Sequence, residues 1–120
     1  MLKMNYDLEG ALKEYLYLLE KEAYFEAHEV LEEAWHPLRK ADHPLKNLVK
    51  GLINGAIAFE HLKRGRKNAQ QNACKVMASF ERYKYLSAQA TEHVLLFEKA
   101  CHSIEVLKKE NKGVFDVLVP

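Results

Sequence analysis

The segment Tyr24-Phe25-Glu26-Ala27-His28-Glu29-Val30-Leu31-Glu32-Glu33-Ala34-Trp35 constrains the fold more than any other stretch of the chain. Tyr24, Ala27, Leu31, Trp35 and Leu38 recur at the spacing of a helix that buries one stripe. His28 falls inside that stripe. With a turn of ~100° per residue, His28 lies next to Trp35, and Glu32 lies between His28 and Phe25 at the stripe's edge. Glu26 and Glu33 point away. An imidazole and a carboxylate are costly to bury unless they are paired, hydrogen-bonded or bound to a metal. The stripe is therefore either a satisfied polar network or a site, with Phe25 and Trp35 expected in the core.

The rest of the chain is read around this helix. A length of 120 residues suits one domain with one core. Apolar residues on one side predict a first helix from about Asp7 to Lys21, with Asn5 and Asp7 as caps. The second helix spans about Ala23 to Arg39, and Pro37 is expected to kink or end its last turn. His43-Pro44 reads as a turn that places proline at the start of a third helix, about Leu45 to Arg64. That helix is apolar almost all round and so belongs at the centre, with Gly51 and Gly55 allowing neighbours to approach closely. Gly65 ends it. A fourth helix is expected from about Asn68 to Ser87. A fifth, from about Thr91 to Glu110, would be capped by Thr91, stopped by Gly113 and followed by an apolar tail, Val114 to Pro120. With no strand-and-crossover alternation, the class is all-α: a compact single-domain bundle (residues 1–120) of about five helices with a short apolar C-terminal tail.

Charge is unevenly distributed. Residues 1–38 carry 3 Lys/Arg against 9 Asp/Glu, whereas residues 39–85 carry 11 against 3. The simplest reading is that acidic and basic helices pack together or meet across a subunit interface. A sharper one is a basic surface for an anionic ligand, centred on Lys63-Arg64-Gly65-Arg66-Lys67. The net charge of +1 argues against nucleic acid as the main partner. No apolar run is long enough to span a bilayer, and the first residues do not open a signal peptide, so a cytoplasmic location is expected. Cys74 and Cys101 are isolated and read as reduced, small hydrophobes.

Three runs together carry a resemblance. Phe25-x-x-His28-Glu29-x-x-Glu32-x-x-Trp35 is followed by Lys50-Gly51-Leu52-Ile53-Asn54-x-Ala56 and by His61-Leu62-x-Arg64-Gly65. In these runs, over roughly Leu8 to Leu86, the chain resembles the small helical proteins of domain of unknown function family 309. The resemblance implies an all-helical fold with a polar cluster on two adjacent helices, in a family with no established activity. Asn54 stands where that family usually has glutamine, and Asn68 stands a little later than its Gly-Asn pair would fall. The shorter amide of Asn54 reaches less far into the cluster.

Asn54 and His61 share one side of the third helix, so His28, Glu32, Asn54 and His61 are the expected polar cluster. His28-Glu29-x-x-Glu32 falls short of the H-E-x-x-H zinc motif because Glu32 occupies the second histidine position. Two functions follow, of which the first is preferred. In one, the protein is an interaction or scaffolding module, a homodimer through its tail or central helix, with a structural buried cluster. In the other, it is a metal-dependent, hydrolase-like enzyme in which His28, Glu32 and His61 hold zinc, manganese or iron and Glu29 accepts a proton. Neither reading names a small-molecule ligand.

Overall fold

The computed structural model describes residues 7–115. The expectations placed on Asn5 and on residues 116–120 of the tail lie outside this range. The helices are α1 (Leu8–Glu20), α2 (Tyr24–Lys40), α3 (Lys46–Arg64), α4 (Ala69–Tyr83), α5 (Val94–Glu110) and α6 (Lys112–Phe115). A 3-10 segment, Lys84–Gln89, joins α4 to the turn before α5. The architecture is all-α, with the five expected helices in the expected order.

α3 is the central element and packs against α2, α4 and α5. Its Leu48, Val49, Leu52, Ile53, Ala56, Ala58 and Phe59 are buried in one core that draws on every α-helix of the described residues. A β-carbon on Gly51 would stand 3.3 Å from Phe80 Cα, and one on Gly55 would stand 3.1 Å from Ile104 Cδ1. The two glycines thus let α4 and α5 close on α3, as their spacing predicts. Tyr15, Phe80 and Phe97 are the largest fully buried side chains. The Tyr15 hydroxyl donates to the Leu52 carbonyl over 2.6 Å, which satisfies a buried phenol and ties α1 to α3. α4, the 3-10 segment and α5 are joined by ion pairs in which Lys84 reaches Glu81 and Glu105, and Lys108 reaches the same two carboxylates.

Two junctions form as expected, at Asp7 and Gly65, and the others depart from expectation. Asp7 caps α1, accepting from Gly10 N over 2.8 Å. Pro37 does not end α2, which continues to Lys40, because proline removes only its own donor while Ala41 N and His43 N still bond back to Pro37 O and Leu38 O. Pro44 is not the first residue of α3; it lies in a turn in which Leu45 N donates to His43 Nδ1, and helix begins at Lys46. Thr91 does not cap α5. His93 precedes Val94 in the left-handed region (φ 54°), which keeps Thr91 off the helical path. Gly113 lies inside α6 and does not stop α5; the break is at Asn111, whose amide donates to Leu107 O over 2.9 Å. Gly65 closes α3 in the left-handed region (φ 62°), as expected.

Trp35 is not a core side chain. It is half-buried on α2, with Lys50 Nζ 4.4 Å and the Arg39 guanidinium 5.4 Å from its ring. Two cations over one indole explain a half-wet tryptophan better than a missing partner does.

Candidate functional site

The path from α1 to α3 decides where the motif residues end up. Lys63 Nζ donates to the carbonyl of Glu22 over 2.7 Å, in the α1–α2 turn. The Tyr24 ring packs on Phe59 with centroids 5.7 Å apart, and Phe59 in turn meets Phe115 at 5.6 Å. These contacts set the start of α2 beside the end of α3. One face of α2, Phe25 and His28, thereby opposes one face of α3, formed by Ile57, Glu60, His61 and Arg64.

Between them lies a cleft of about 360 Å³, closed on its third side by Arg66, Lys67, Ala69 and Asn72 of the α3–α4 loop and first turns of α4. His28 Nδ1 lies 2.5 Å from the Phe25 carbonyl, an acceptor, so Nδ1 carries the proton of that bond. Nε2 then faces Glu32 Oε1 at 3.7 Å, and the two form an ion pair only when the ring holds both protons. The Phe25 ring meets His28 edge-on at 5.0 Å. The Arg64 guanidinium stands 5.6 Å from the Phe25 ring and is paired with Glu60 one turn back.

The expected four-residue cluster is only partly gathered. His28 and His61 line one cleft from two helices, and Glu32 pairs with His28, but Asn54 and Glu32 are not among the lining residues. The pair is not buried: the His28 side chain is 16% exposed and that of Glu32 41%, and no polar or charged residue among the described ones is buried. The reason is the position of Glu32 at the stripe's edge, where the carboxylate keeps its water and avoids the desolvation cost. Glu29 is exposed and stands off the cleft. Among the described residues no three His, Cys, Asp or Glu side chains are grouped so as to hold a metal ion, and His28, Glu32 and His61 are therefore not gathered as a ligand set. Arg66 and Lys67 belong to the cleft, which spacing on a single helix does not show. The basic run Lys63 to Lys67 was the signal.

A second concavity, a groove of about 950 Å³, runs between α1 and α5. Glu9 and Tyr15, in order along α1, interact with His93 and Cys101, in order along the start and middle of α5, so the two helices run in the same direction. Leu16, Tyr17, Leu19, Leu95, Val106 and Leu107 supply its apolar lining. Leu95 is 72% exposed and Tyr17 57%, and both stand with Val106 among the five exposed large apolar residues of the described range. Glu20, Glu22, Glu98 and Glu110 rim the groove against a single lysine, Lys99.

The cysteines take no part in either concavity. Cys101 is buried, which pushes its thiol up to about 11, and Cys74 Sγ approaches Val114 O at 3.2 Å. Among the described residues no helix is long and apolar enough to cross a membrane. Comparison with curated proteins and with solved structures found no match. The model of the family described as Domain of unknown function (DUF309) matches residues 12–72, just over half of the sequence, and the chain belongs to that family.

Proposed function

We propose that this chain is a protein-interaction module and that its docking surface is the α1–α5 groove. The observation that carries the reading is the concentration of exposed apolar side chains there: Tyr17, Leu95 and Val106 lie along two helices that run side by side. Exposed apolar surface arranged in a groove and rimmed by charge is the usual form of a site that receives an amphipathic helix. Four glutamates against one lysine select the occupant, a partner helix with leucine-like residues on one face and lysine or arginine on its flanks. Other surfaces serve less well. The apolar faces of α3 are covered by its neighbours, and Phe115 is spent on Phe59.

The test uses two synthetic helices of about 15 residues with the same leucine stripe, one flanked by lysines and one by glutamates. Calorimetric titration should give binding in the micromolar range, about −8 kcal/mol, for the lysine peptide alone. That affinity should fall with added salt and at least about tenfold in Leu95→Asp. Equal binding of both peptides, or binding indifferent to Leu95→Asp, would overturn the proposal. So would sedimentation showing a dimer that Leu95→Asp dissociates and the lysine peptide cannot displace, since the groove would then belong to a second copy.

A further inference from the structure

The groove leaves the other concavity without a role, and that concavity is unlike it in every respect. Its walls hold three cationic side chains, Arg64, Arg66 and Lys67, two imidazoles, His28 and His61, and one carboxylate, Glu60. Glu60 is already paired with Arg64. Among the described residues no carboxylate pairs with Arg66 or Lys67. The end of the cleft formed by these two is also where α4 begins. Its capping residue, Asn68, makes no side-chain hydrogen bond to the first turn, and Ala69 and Asn72 line the cleft. The partial positive charge of the helix end therefore adds to that of the two side chains.

We propose that this cleft binds a small organic phosphate, with the phosphate at Arg66 and Lys67 and a flat apolar group against Phe25 and Ile57. Two unpaired cations and a helix end match a group that carries about −1.5 to −2 charges, as a phosphate monoester does near neutral pH, better than a single carboxylate. The imidazoles extend the polar wall. His28 Nδ1 is committed to the Phe25 carbonyl and its Nε2 faces Glu32 at 3.7 Å, so the ring of His61 is the imidazole left to meet the ligand. Phe25 and Ile57 supply most of the apolar part of the lining, and Phe25 already stacks. Phe25 is exposed, lies edge-on to His28 and carries Arg64 over its ring. A planar ligand group would join that stack as a further ring. A volume of about 360 Å³ lies within the range of small-molecule sites. Every lining residue, from Phe25 to Asn72, falls inside the family-matched segment, so the site is built from the part of the chain that makes it a family member.

The experiment titrates the full chain with inorganic phosphate, phenyl phosphate, benzoate and a short 5′-phosphorylated single-stranded DNA, following chemical shifts or heat. Phenyl phosphate is expected to bind about tenfold more tightly than inorganic phosphate, and benzoate more weakly than phenyl phosphate. Arg66→Gln combined with Lys67→Gln should weaken phenyl phosphate at least about tenfold, at exposed positions where the melting curve should not move. Phe25→Ala should remove the advantage of phenyl phosphate over inorganic phosphate and leave inorganic phosphate unchanged. Benzoate binding as tightly as phenyl phosphate would overturn the proposal, as would phenyl phosphate insensitive to the double substitution. The DNA binding far more tightly than phenyl phosphate would also overturn it, in favour of a nucleic-acid surface.

Discussion

The cleft and the groove are two concavities of one small core, and they differ in how they are made. The cleft is cut by α2, α3 and the start of α4, wholly within residues 12–72. The groove needs α5, which lies outside that segment, and it borrows only one wall, α1, from within it. The charge of the chain divides in the same way. Glu20 and Glu22 of the acidic first third rim the groove, and Arg64, Arg66 and Lys67 of the basic middle third wall the cleft. Opposite charge at the two concavities would keep the two proposed ligands from competing, because each field repels what the other attracts. The difference teaches that in a bundle this small a second concavity comes from adding a helix, not from altering the first.

The hardest test of that comparison is whether α5 is a true part of the core. Phe97 on α5 and Phe80 on α4 are both fully buried, so Phe97→Ala and Phe80→Ala should each cost about 3–5 kcal/mol in chemical denaturation. A Phe97→Ala cost under about 1 kcal/mol would show α5 to be a loosely held addition, and the groove would lose its second wall. Separability of the sites comes next. Leu95→Asp should leave phenyl phosphate binding untouched, and the Arg66→Gln, Lys67→Gln pair should leave the lysine peptide untouched. Each loses about 1.4 kcal/mol, or tenfold, only for its own probe. A loss that crosses from one site to the other would make them a single coupled system.

Tyr15 offers a finer measurement, because its hydroxyl joins α1, a wall of the groove, to α3, a wall of the cleft. Tyr15→Phe should cost about 1 kcal/mol near neutral pH. Burial holds the phenol well above its ordinary value of 10.0, so the folded chain keeps a proton that the unfolded chain releases. The phenol's contribution to stability is therefore full below about pH 10 and declines as the pH rises beyond it. Tyr15→Phe should lessen the slope of that decline in alkaline unfolding curves without abolishing it, since buried Cys101, raised to about 11, acts in the same direction. An unchanged slope would mean that the phenol is not shielded. The smallest effect belongs to Glu32. Its half-exposed carboxylate at 3.7 Å from His28 makes a weak pair, so Glu32→Gln and Glu32→Ala should both stay within about 0.5 kcal/mol of the parent melting free energy. A loss of several kcal/mol in Glu32→Ala alone would restore the buried cluster that the motif first suggests.

Much of this was legible in the residues. Periodicity located five helices, Gly65 marked the end of α3, and Gly51 and Gly55 announced close neighbours, because helix formation and capping depend on groups three to five residues apart. The family motif could be read for the same reason, as could the pairing of His28 with Glu32 across one helical turn. The turns were less legible. Glu22, Asp42 and His93 adopt positive φ at three junctions, and no glycine marks them. What only the tertiary structure decided is which faces meet and which stay wet. Trp35 was expected inside and stands half outside under Lys50 and Arg39, because the packing of α2 on α3 exposes that end of the stripe. Arg66 and Lys67 join Phe25 and His28 across some forty residues, and Leu95 joins Tyr17 across nearly eighty. A helical period states that a residue has an inner or an outer side; the angle between two helices, set by every side chain in the seam, determines what that side faces.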